Sequence, residues 1–351
     1  MKNKLKHLVP VLLALATITG SLSACELKPK AQQKVSKQGF YFDTIIQITL
    51  YGTTDEKYID DCFDMAKKYE DMLSNTVSYS EVSKINDAAG KEYVTVSDDT
   101  LELIKNGIEY GDTSDGRFDI TIGKGKLSDL WNFSEIAENT DSKDNEVDAS
   151  VVPSDAQIQS ELSHVNYRNI QINGNDVMLT DSKAKLDLGG IAKGFIADKM
   201  KAYLQSKKIT SGIINLGGNV LTVGEKSDGS DYTVGIQKPF DESGEPICTV
   251  KIKDKSVVTS GIYERYYRVD GKLYHHILDT TTGYPVKNNL YSVTIISDSS
   301  CDGDALSTTC FALGIDKAKE LINSLSGVEA IFVTDDYSII TTSDEYNVSK
   351  E

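Results

Sequence analysis

Two oxygen-bearing side chains stand four residues apart late in the sequence. Asp304 and Thr308 belong to the segment CDGDALST at residues 301–308, and on a helix such a pair lies on one face. A carboxylate and a hydroxyl on one face can both reach a hard cation, and Mg²⁺ prefers oxygen ligands. The alternative is that Asp302 or Asp304 only caps the helix, with Thr308 on its surface. The spacing therefore indicates either a magnesium site or an ordinary helix start.

A glycine pair separates a predicted strand from a predicted helix. Residues 187–194 read DLGGIAKG. Glycines at such a junction let the backbone approach an anion closely, and a helix N-terminus favours negative charge. Lys193 adds a positive charge one turn into the helix. The segment is neither a Walker A loop nor a G-x-G-x-x-G fingerprint, so it predicts either an anion pocket or a tight turn that needs glycine for steric reasons.

Two of the four histidines, His275 and His276, are adjacent in the sequence. Neighbouring residues on a strand point to opposite faces, so one imidazole can enter a cleft while the other packs. A neutral imidazole near pH 7 is a suitable general base. A purely structural histidine pair is the alternative.

The only tryptophan, Trp131, lies in an aromatic stretch. The stretch combines GRFDITIG at residues 116–123 with LWNF at residues 130–133. Such a cluster can flank a planar ring system, whereas core packing is the usual role of a single tryptophan. Both interpretations stay open at this point.

Hydrophobic periodicity predicts the elements that must position these residues. Helices are predicted over 58–73, 100–114, 191–204, 305–313 and 317–325, and strands over 40–51, 170–172, 177–179, 185–188, 213–216, 232–237, 256–260, 266–269, 273–278, 291–296, 330–334 and 338–342. Strand pairs mixed with helices predict an α+β fold with largely antiparallel sheets flanked by helices. The polar, acidic stretch at about 134–150 is predicted to be a surface insertion within one domain.

The N-terminus predicts export. A basic head, an apolar run at residues 8–18 and the small residues of LSAC at 22–25 are typical of a signal peptide. The run is shorter than the roughly 20 residues that span a bilayer. Small residues directly before Cys25 resemble a lipobox; an ordinary signal peptide with an incidental cysteine is the alternative. We expect a signal peptide over 1–24, lipidated Cys25 and a flexible tether over 25–38, one domain over 39–351, and an extracytoplasmic, membrane-anchored protein.

The net charge of the chain limits the classes of ligand and partner that it can bind. The full chain carries a net charge of −16, and removal of Lys2, Lys4 and Lys6 with the signal peptide would make it more negative. Such an acidic body argues against nucleic-acid binding, and a phosphate-bearing ligand would need a metal or a helix N-terminus to neutralise it locally. The four other cysteines have no paired C-x-x-C spacing, which argues against zinc. They are expected to be buried thiols rather than disulfides.

The order of the motifs is more specific than any one of them. FDITIG with LWNF, DLGGIAKG, NLGGN at 215–219, TSG at 259–261, HHILD with TGYP, and DALST at 304–308 occur in that order. This series resembles the ApbE family of FAD:protein FMN transferases over roughly residues 40–342. The resemblance implies a T-fold-like domain, FAD as substrate and Mg²⁺ as cofactor. It also implies transfer of FMN through a phosphoester bond to a threonine or serine of an acceptor protein, with AMP released.

The resemblance also implies site residues. Asp304 and Thr308 would bind the metal through their side chains and Gly190 through its backbone carbonyl. Asp304 and His276 would be the catalytic residues, with His276 as the base that activates the acceptor hydroxyl. The residues expected along the flavin nucleotide are Phe42, Thr76, Arg117, Phe118, Asp119, Asp187, Lys193 and His276.

The chain departs from the family pattern at three places. Residues 42–44 are Phe-Asp-Thr where Met-Gly-Thr is usual, Thr76 stands where many members have tyrosine, and KGK at 124–126 replaces a more apolar stretch. These changes place flavin packing in doubt and leave the metal and pyrophosphate motifs intact. The implied acceptors are flavoproteins of the membrane or cell surface, such as redox-pump subunits or extracellular electron-transfer proteins. Two alternatives remain: an FAD pyrophosphatase that gives FMN and AMP, and a non-catalytic FAD-binding lipoprotein.

Overall fold

The computed structural model describes residues 33–123, 126–140, 145–241, 243–346 and 348–350. The predicted signal peptide, Cys25 and most of the predicted tether lie outside the described residues. Within the described ranges, no helix combines the length and the apolar character that crossing a membrane requires.

Helices and strands alternate irregularly along the chain. The helices are α1 Lys57–Leu73, α2 Glu81–Asp87, α3 Asp98–Thr113, α4 Leu127–Trp131, α5 Phe133–Glu138, α6 Asp155–Leu162, α7 Ala192–Ser206, α8 Ser300–Leu313 and α9 Ile315–Ser324. The strands are β1 Lys34–Tyr41, β2 Thr44–Tyr51, β3 Val94–Thr95, β4 Ile170–Asn173, β5 Asp176–Leu179, β6 Ser211–Leu216, β7 Asn219–Gly224, β8 Tyr232–Gln237, β9 Pro246–Ile252, β10 Ser256–Gly261, β11 Tyr266–Val269, β12 Lys272–His275, β13 Leu290–Ser297, β14 Glu329–Thr334, β15 Ile339–Thr341 and β16 Ser349–Lys350.

An eight-stranded sheet is the centre of the fold. Its order is β1-β2-β6-β7-β10-β13-β14-β15, and each of these neighbouring pairs is antiparallel. The side chains of successive residues in its strands point to opposite faces of the sheet and pack into different hydrophobic cores. On β13, for example, Ile295 packs among residues of α8 and α9, whereas Ile296 packs against β8 and β9. Helices therefore cover one face and a small sheet covers the other, which confirms the predicted α+β class.

The prediction of one continuous strand over residues 40–51 is wrong. The chain turns back at Phe42 and Asp43, whose φ angles are 54° and 55°, and β1 pairs with β2 from Lys34↔Tyr51 to Tyr41↔Thr44. Two positive φ angles fit the right-handed twist of a two-residue hairpin, but such turns usually contain Asn-Gly or Asp-Gly. Because that signal is missing and the turn lies within an apolar run, the sequence pattern does not reveal the turn.

The predicted tether also extends too far. Residues 34–38 belong to β1, and Val35 is buried opposite Leu50. The domain therefore begins before residue 39. The segment looked polar because β1 is an edge strand, of which only Val35 is fully buried.

The predicted strand over residues 185–188 is an irregular extended segment. The side chain of Asn86 takes the place of a partner strand there: its Oδ1 accepts from Leu186 N–H at 2.6 Å, and its Nδ2 donates to the Leu186 carbonyl at 2.9 Å. The buried backbone groups are thus satisfied without a ladder.

The acidic insertion has a packed side. It contains most of α5, and Val147 N–H donates to the carbonyl of Arg268 on β11 at 2.9 Å. Ile136 and Val147 pack against a core formed by Leu127, Trp131 and their neighbours. The stretch is therefore attached to the domain rather than freely solvated. The cysteines at 62, 248, 301 and 310 are buried thiols rather than disulfides, as predicted.

Candidate active site

Helices α7 and α8 cap each other. Asp198 on α7 accepts from the backbone N–H groups of Ser300 at 2.8 Å and Cys301 at 2.9 Å, which satisfies the start of α8. In return, Oδ2 of Asp304 on α8 accepts from Gly194 N–H at 2.8 Å, in the first turn of α7. The first N–H groups of a helix have no partner within the helix, and here each helix supplies the acceptor for the other. The pair forms a rigid base for the site.

Gly194 permits this close packing. A Cβ atom at position 194 would lie 2.1 Å from the carbonyl oxygen of Ser300 and 2.7 Å from Cα of Cys301. No side chain fits there unless one helix moves. The last glycine of DLGGIAKG is therefore needed for helix contact.

Asp304 and Thr308 share one face of α8, as their spacing predicts. Asp304 is buried with 7% of its surface exposed, whereas Thr308 is half-buried. The hydroxyl of Thr308 lies 3.0 Å from that of Ser260 on β10, and Ser260 also contacts the hydroxyl of Ser307 at 2.8 Å. A carboxylate and an anchored hydroxyl thus stand one helical turn apart.

Lys193 lies at the start of α7, where the N-cap residue Ile191 provides no side-chain acceptor and Asp304 is the side chain that accepts from Gly194 N–H. Burial raises the pKa of Asp304, and the positive charge of Lys193 opposes the rise. The same charge acts on Glu264, whose pKa is raised mainly by desolvation. Glu264 is exposed to solvent and lies near the charges of Lys193 and Arg265. Lys193 is therefore the cation shared by two carboxylates.

The two histidines have separate environments. His275 is buried; its Nε2 lies 3.0 Å from the carbonyl of Val286, and its Nδ1 accepts from Ile277 N–H at 3.3 Å. His276 is half-buried, and its Nδ1 lies 3.3 Å from the carbonyl of Arg265. The structure places one ring in the core and leaves the other accessible, as predicted.

The surroundings of the half-buried His276 ring favour its neutral form. Desolvation lowers its pKa to about 3, and the charges of Arg265 and Lys193 contribute to the shift. Since a carbonyl can only accept, Nδ1 carries the proton in this contact and Nε2 keeps its lone pair. Lys193 therefore lies close enough to influence both the candidate base and the candidate metal ligand.

The types of donor predicted for the metal site suit a hard cation. No group of three His, Cys, Asp or Glu side chains able to hold a metal occurs in the described part of the chain. The predicted set is of another kind, with one carboxylate, one hydroxyl and the Gly190 carbonyl, and it leaves room for waters and ligand phosphates as Mg²⁺ requires. A buried carboxylate needs a compensating charge, and an oxygen-bound cation would supply it. The residues therefore fit the ion.

The segment at residues 117–119 borders the glycine pair. A Cβ atom on Gly190 would lie 3.4 Å from the ring of Phe118. Arg117 pairs with Asp279 at 3.0 Å, and Asp279 also accepts from Thr281 N–H at 2.7 Å in the following turn. The structure thus joins the segment to the turn after His276.

The two predicted aspartates have structural partners. Asp119 is buried and accepts from Thr121 N–H at 2.8 Å and from Tyr167 N–H at 3.0 Å. Asp187 accepts from Gly189 N–H at 2.8 Å and shapes the glycine turn. Both carboxylates therefore hold loops in place, and contact with a nucleotide remains a prediction for each.

Phe42 and Thr76 lie on segments around α1. Phe42 occupies the hairpin turn, is half-buried against the main core, and donates its N–H to Glu70 at 2.8 Å. Thr76 is exposed in the loop after α1, with its hydroxyl 2.8 Å from that of Ser74. Their predicted flavin contacts stay predictions. Trp131, in contrast, is fully buried, stacks on Phe133 and donates to the carbonyl of Gly283 at 2.8 Å, so the core-packing interpretation holds.

Sequence reasoning missed several residues of the site. They are Asp198, Asn219, Ser260, Glu264 and Arg265. Asn219 and Ser260 stand inside the NLGGN and TSG motifs, which was the available signal. The other three are polar residues of ordinary appearance, and only the tertiary contacts reveal them.

The chain is similar to proteins of one family. Residues 42–332 match the sequence profile described as the ApbE family. An FAD:protein FMN transferase of Klebsiella pneumoniae (strain 342) is 38% identical over 300 residues, with 85% of this chain and 88% of the relative covered. One of Treponema pallidum (strain Nichols) is 31% identical, with 79% and 77% covered.

Solved structures agree with the fold. The crystal structure of the ApbE protein from Thermotoga maritima has a TM-score of 0.79 at 30% identity and covers 91% of this chain and 100% of that one. The flavin transferase ApbE from Vibrio cholerae has a TM-score of 0.76 at 26% identity, with 88% and 96% covered.

Proposed function

This chain belongs to the ApbE family, and from that premise we propose that it transfers the FMN half of FAD to a serine or threonine hydroxyl of an acceptor protein. The product is a phosphoester and AMP leaves. The name shared by the relatives, FAD:protein FMN transferase, supports the flavin transferase activity and the protein acceptor. The observation that carries the proposal is the anchoring of Asp304 and Thr308 on one face of α8, where Gly194 N–H holds the carboxylate at 2.8 Å and the Ser260 hydroxyl lies 3.0 Å from that of Thr308.

The reaction is an in-line phosphoryl transfer. The acceptor oxygen forms a bond to the FMN phosphorus, the bond from that phosphorus to the AMP oxygen breaks, and AMP carries away the electron pair. The hydroxyl proton must move to a base. No covalent intermediate with the protein is required, so the chain needs to position the reactants and balance charge.

His276 is suited to accept that proton. The carbonyl of Arg265 holds the Nδ1 side of the ring, and Nε2 is therefore the basic atom. The low pKa keeps the ring neutral before FAD binds. An anionic pyrophosphate nearby favours the protonated imidazole and raises the pKa toward a value useful for proton transfer. A positioned base of this kind typically contributes about 10²–10⁴-fold to the rate.

Lys193 and the start of α7 are suited to bind the pyrophosphate. A helix N-terminus favours anions, and in the first turn of the 15-residue helix α7 the N-cap residue Ile191 offers no side-chain acceptor, while Asp304 accepts only from Gly194 N–H. Lys193 adds a full positive charge at the same place. These groups supply the local neutralisation that a protein of net charge −16 requires for a polyanionic substrate.

We propose Mg²⁺ as the cofactor, held by the side chains of Asp304 and Thr308 and by the carbonyl of Gly190. When bound, it neutralises the pyrophosphate and stabilises the charge on departing AMP. Gly194 N–H fixes one oxygen of Asp304, and Ser260 fixes the hydroxyl of Thr308. The chain thereby holds both ligands in place before the substrate arrives.

We also propose that Cys25 is lipidated and anchors the protein outside the cytoplasm, near membrane or cell-surface flavoproteins. The support is the LSAC sequence after a short apolar run. Metabolic labelling with a palmitate analogue tests it. Wild type should incorporate label into the membrane fraction and Cys25→Ala should not; equal labelling would contradict the anchor.

One assay tests the activity. The protein is incubated with FAD, Mg²⁺ and a candidate acceptor, and AMP release and the acceptor mass are measured. We expect AMP together with a mass gain of one FMN. AMP without a mass gain for any acceptor would indicate an FAD pyrophosphatase, and neither product would indicate a binding protein; both results contradict the proposal.

A further inference from the structure

A chain of buried polar side chains ends beside Asp304. Ser256 on β10 donates its hydroxyl to Ser300 at 2.9 Å, and Ser300 donates to Oδ1 of Asn219 on β7 at 2.6 Å. Ser256 and Ser300 are fully buried, and Asn219 exposes only 2% of its surface. Buried polar groups of this kind are expected to be fully hydrogen-bonded.

Asn219 departs from that expectation at one atom. Its Nδ2 makes no hydrogen bond of good geometry within the described residues. A buried donor without a partner costs about 1–3 kcal/mol, so its retention requires an explanation. The Ser300 hydroxyl donates to Oδ1 at 2.6 Å, so Nδ2 lies on the side of the amide away from that hydroxyl.

The position of Asn219 relative to α8 supplies the explanation. Ser300 and Asp304 are four residues apart on α8 and share a face, so a side chain bonded to Ser300 lies one turn from Asp304. Burial raises the pKa of Asp304, and the Asn219 amide is among the groups that oppose the rise. The amide dipole therefore lies near the carboxylate.

The turn formed by NLGGN places Asn219 next to Ser300 of α8. Gly217 and Gly218, with φ angles of 63° and 92°, form the two-residue turn between β6 and β7. Gly218 N–H donates to Oδ1 of Asn215 at 3.0 Å, which closes the turn. Asn219 is the first residue of β7, directly opposite Leu216. The first asparagine of the motif thus shapes the turn, while the second enters the buried polar chain.

We infer that Asn219 is a positioning residue for the metal site. With the carboxylate in its metal-bound position, Nδ2 would donate to the Asp304 oxygen that Gly194 N–H does not hold, and the Ser256–Ser300 hydroxyls would keep the amide in that orientation. The inference rests on the proposed metal role of Asp304. Asn219 acts only through Asp304 and touches no reacting atom.

Electron paramagnetic resonance measures the Kd for Mn²⁺ of the purified wild type and of its variants in the absence of FAD. This measurement tests the inference. Removal of a group that orients a metal ligand typically weakens binding about 10–100-fold, so we expect at least a tenfold higher Kd for Asn219→Ala. If that variant does not fold, Ser256→Ala replaces it, with an expected increase of about threefold because its effect passes through two hydrogen bonds.

Thr222→Val is the matched control. Thr222 is also fully buried on β7; its hydroxyl donates to the carbonyl of Lys255 at 2.9 Å and accepts from the N–H of the same residue at 3.0 Å, and it does not bond to Ser256, Ser300 or Asn219. It should lose stability in urea yet bind Mn²⁺ like wild type. Asp304→Asn is measured alongside these variants. If Asp304→Asn weakens Mn²⁺ binding while the Kd of Asn219→Ala, or of Ser256→Ala in its place, is unchanged, the inference is overturned. Equal binding by wild type and Asp304→Asn would instead overturn the metal assignment itself.

Discussion

The backbone N–H of Gly194 donates a hydrogen bond to Oδ2 of Asp304 over 2.8 Å. This contact gives one carboxylate two tasks: it satisfies the start of α7, and it stands where the proposed cation would bind. The start of α7 is also the proposed pyrophosphate site. The metal ligand and the anion pocket therefore have a fixed geometry relative to each other.

Replacement of Asp304 should separate these tasks. Asp304→Asn keeps an oxygen for Gly194 N–H but lacks the charge, so we expect at least a 100-fold loss of AMP release with little loss of stability. Asp304→Ala also loses the cap, which costs about 1 kcal/mol. Asp302→Asn, on the same helix and bonded to Tyr110, is the control and should stay active. Wild-type activity in Asp304→Asn would refute the metal assignment.

Substitution of Gly194 tests the helix contact. Alanine is favoured over glycine inside a helix by about 1 kcal/mol, but its Cβ would lie 2.1 Å from the Ser300 carbonyl. We expect Gly194→Ala to lower the free energy of unfolding by about 2–3 kcal/mol, as overpacking usually does, and to reduce activity. Urea titration measures the first effect. A more stable variant would show that α7 and α8 can separate without cost.

His276 should affect the rate more than binding. For His276→Gln we expect AMP release to fall by about 10²–10⁴-fold, while the Kd for FAD, from flavin fluorescence, changes less than threefold. His164→Gln is the control because His164 pairs with Asp181 at 2.8 Å and has no role in the proposed reaction. An FAD affinity that falls as much as the rate would make His276 a binding residue.

His275 should make stability depend on pH. Burial lowers its pKa from 6.5 to about 4 in the folded state. The unfolded state therefore binds more protons between these values, and the native state is fully stabilised above pH 6.5 and loses stability as pH falls toward 4. The loss amounts to about 3 kcal/mol.

Urea unfolding at pH 7, 6, 5 and 4.5 measures this dependence. In His275→Gln the contribution from this residue should disappear, leaving a flatter profile at lower overall stability. An identical slope in wild type and variant would show that other groups cause the acid sensitivity.

The sequence predicted elements with strong periodicity and missed those defined by tertiary contacts. Helix α7 and strand β13 lie close to their predicted bounds. The turn at Phe42 was missed because it lacks the usual turn residues, and the false strand at residues 185–188 has Asn86 in place of a neighbouring strand. Local patterns carry no information about such partners.

The site shows the same division. The order of the motifs identified the family, and the spacing of Asp304 and Thr308 placed them on one helix face. The partners that hold these residues come from distant segments, as Asp198 and Asn219 show. For Phe42 and Thr76, where the chain departs from the family pattern, the flavin contacts stay predictions.

Diffraction at the manganese edge, from crystals soaked with FAD and Mn²⁺, tests the central claim most directly. We expect an anomalous peak within coordination distance of Asp304 Oδ1, Thr308 Oγ1 and the FAD pyrophosphate. A bound FAD whose pyrophosphate lies elsewhere, or a manganese peak that avoids both side chains, would contradict the account.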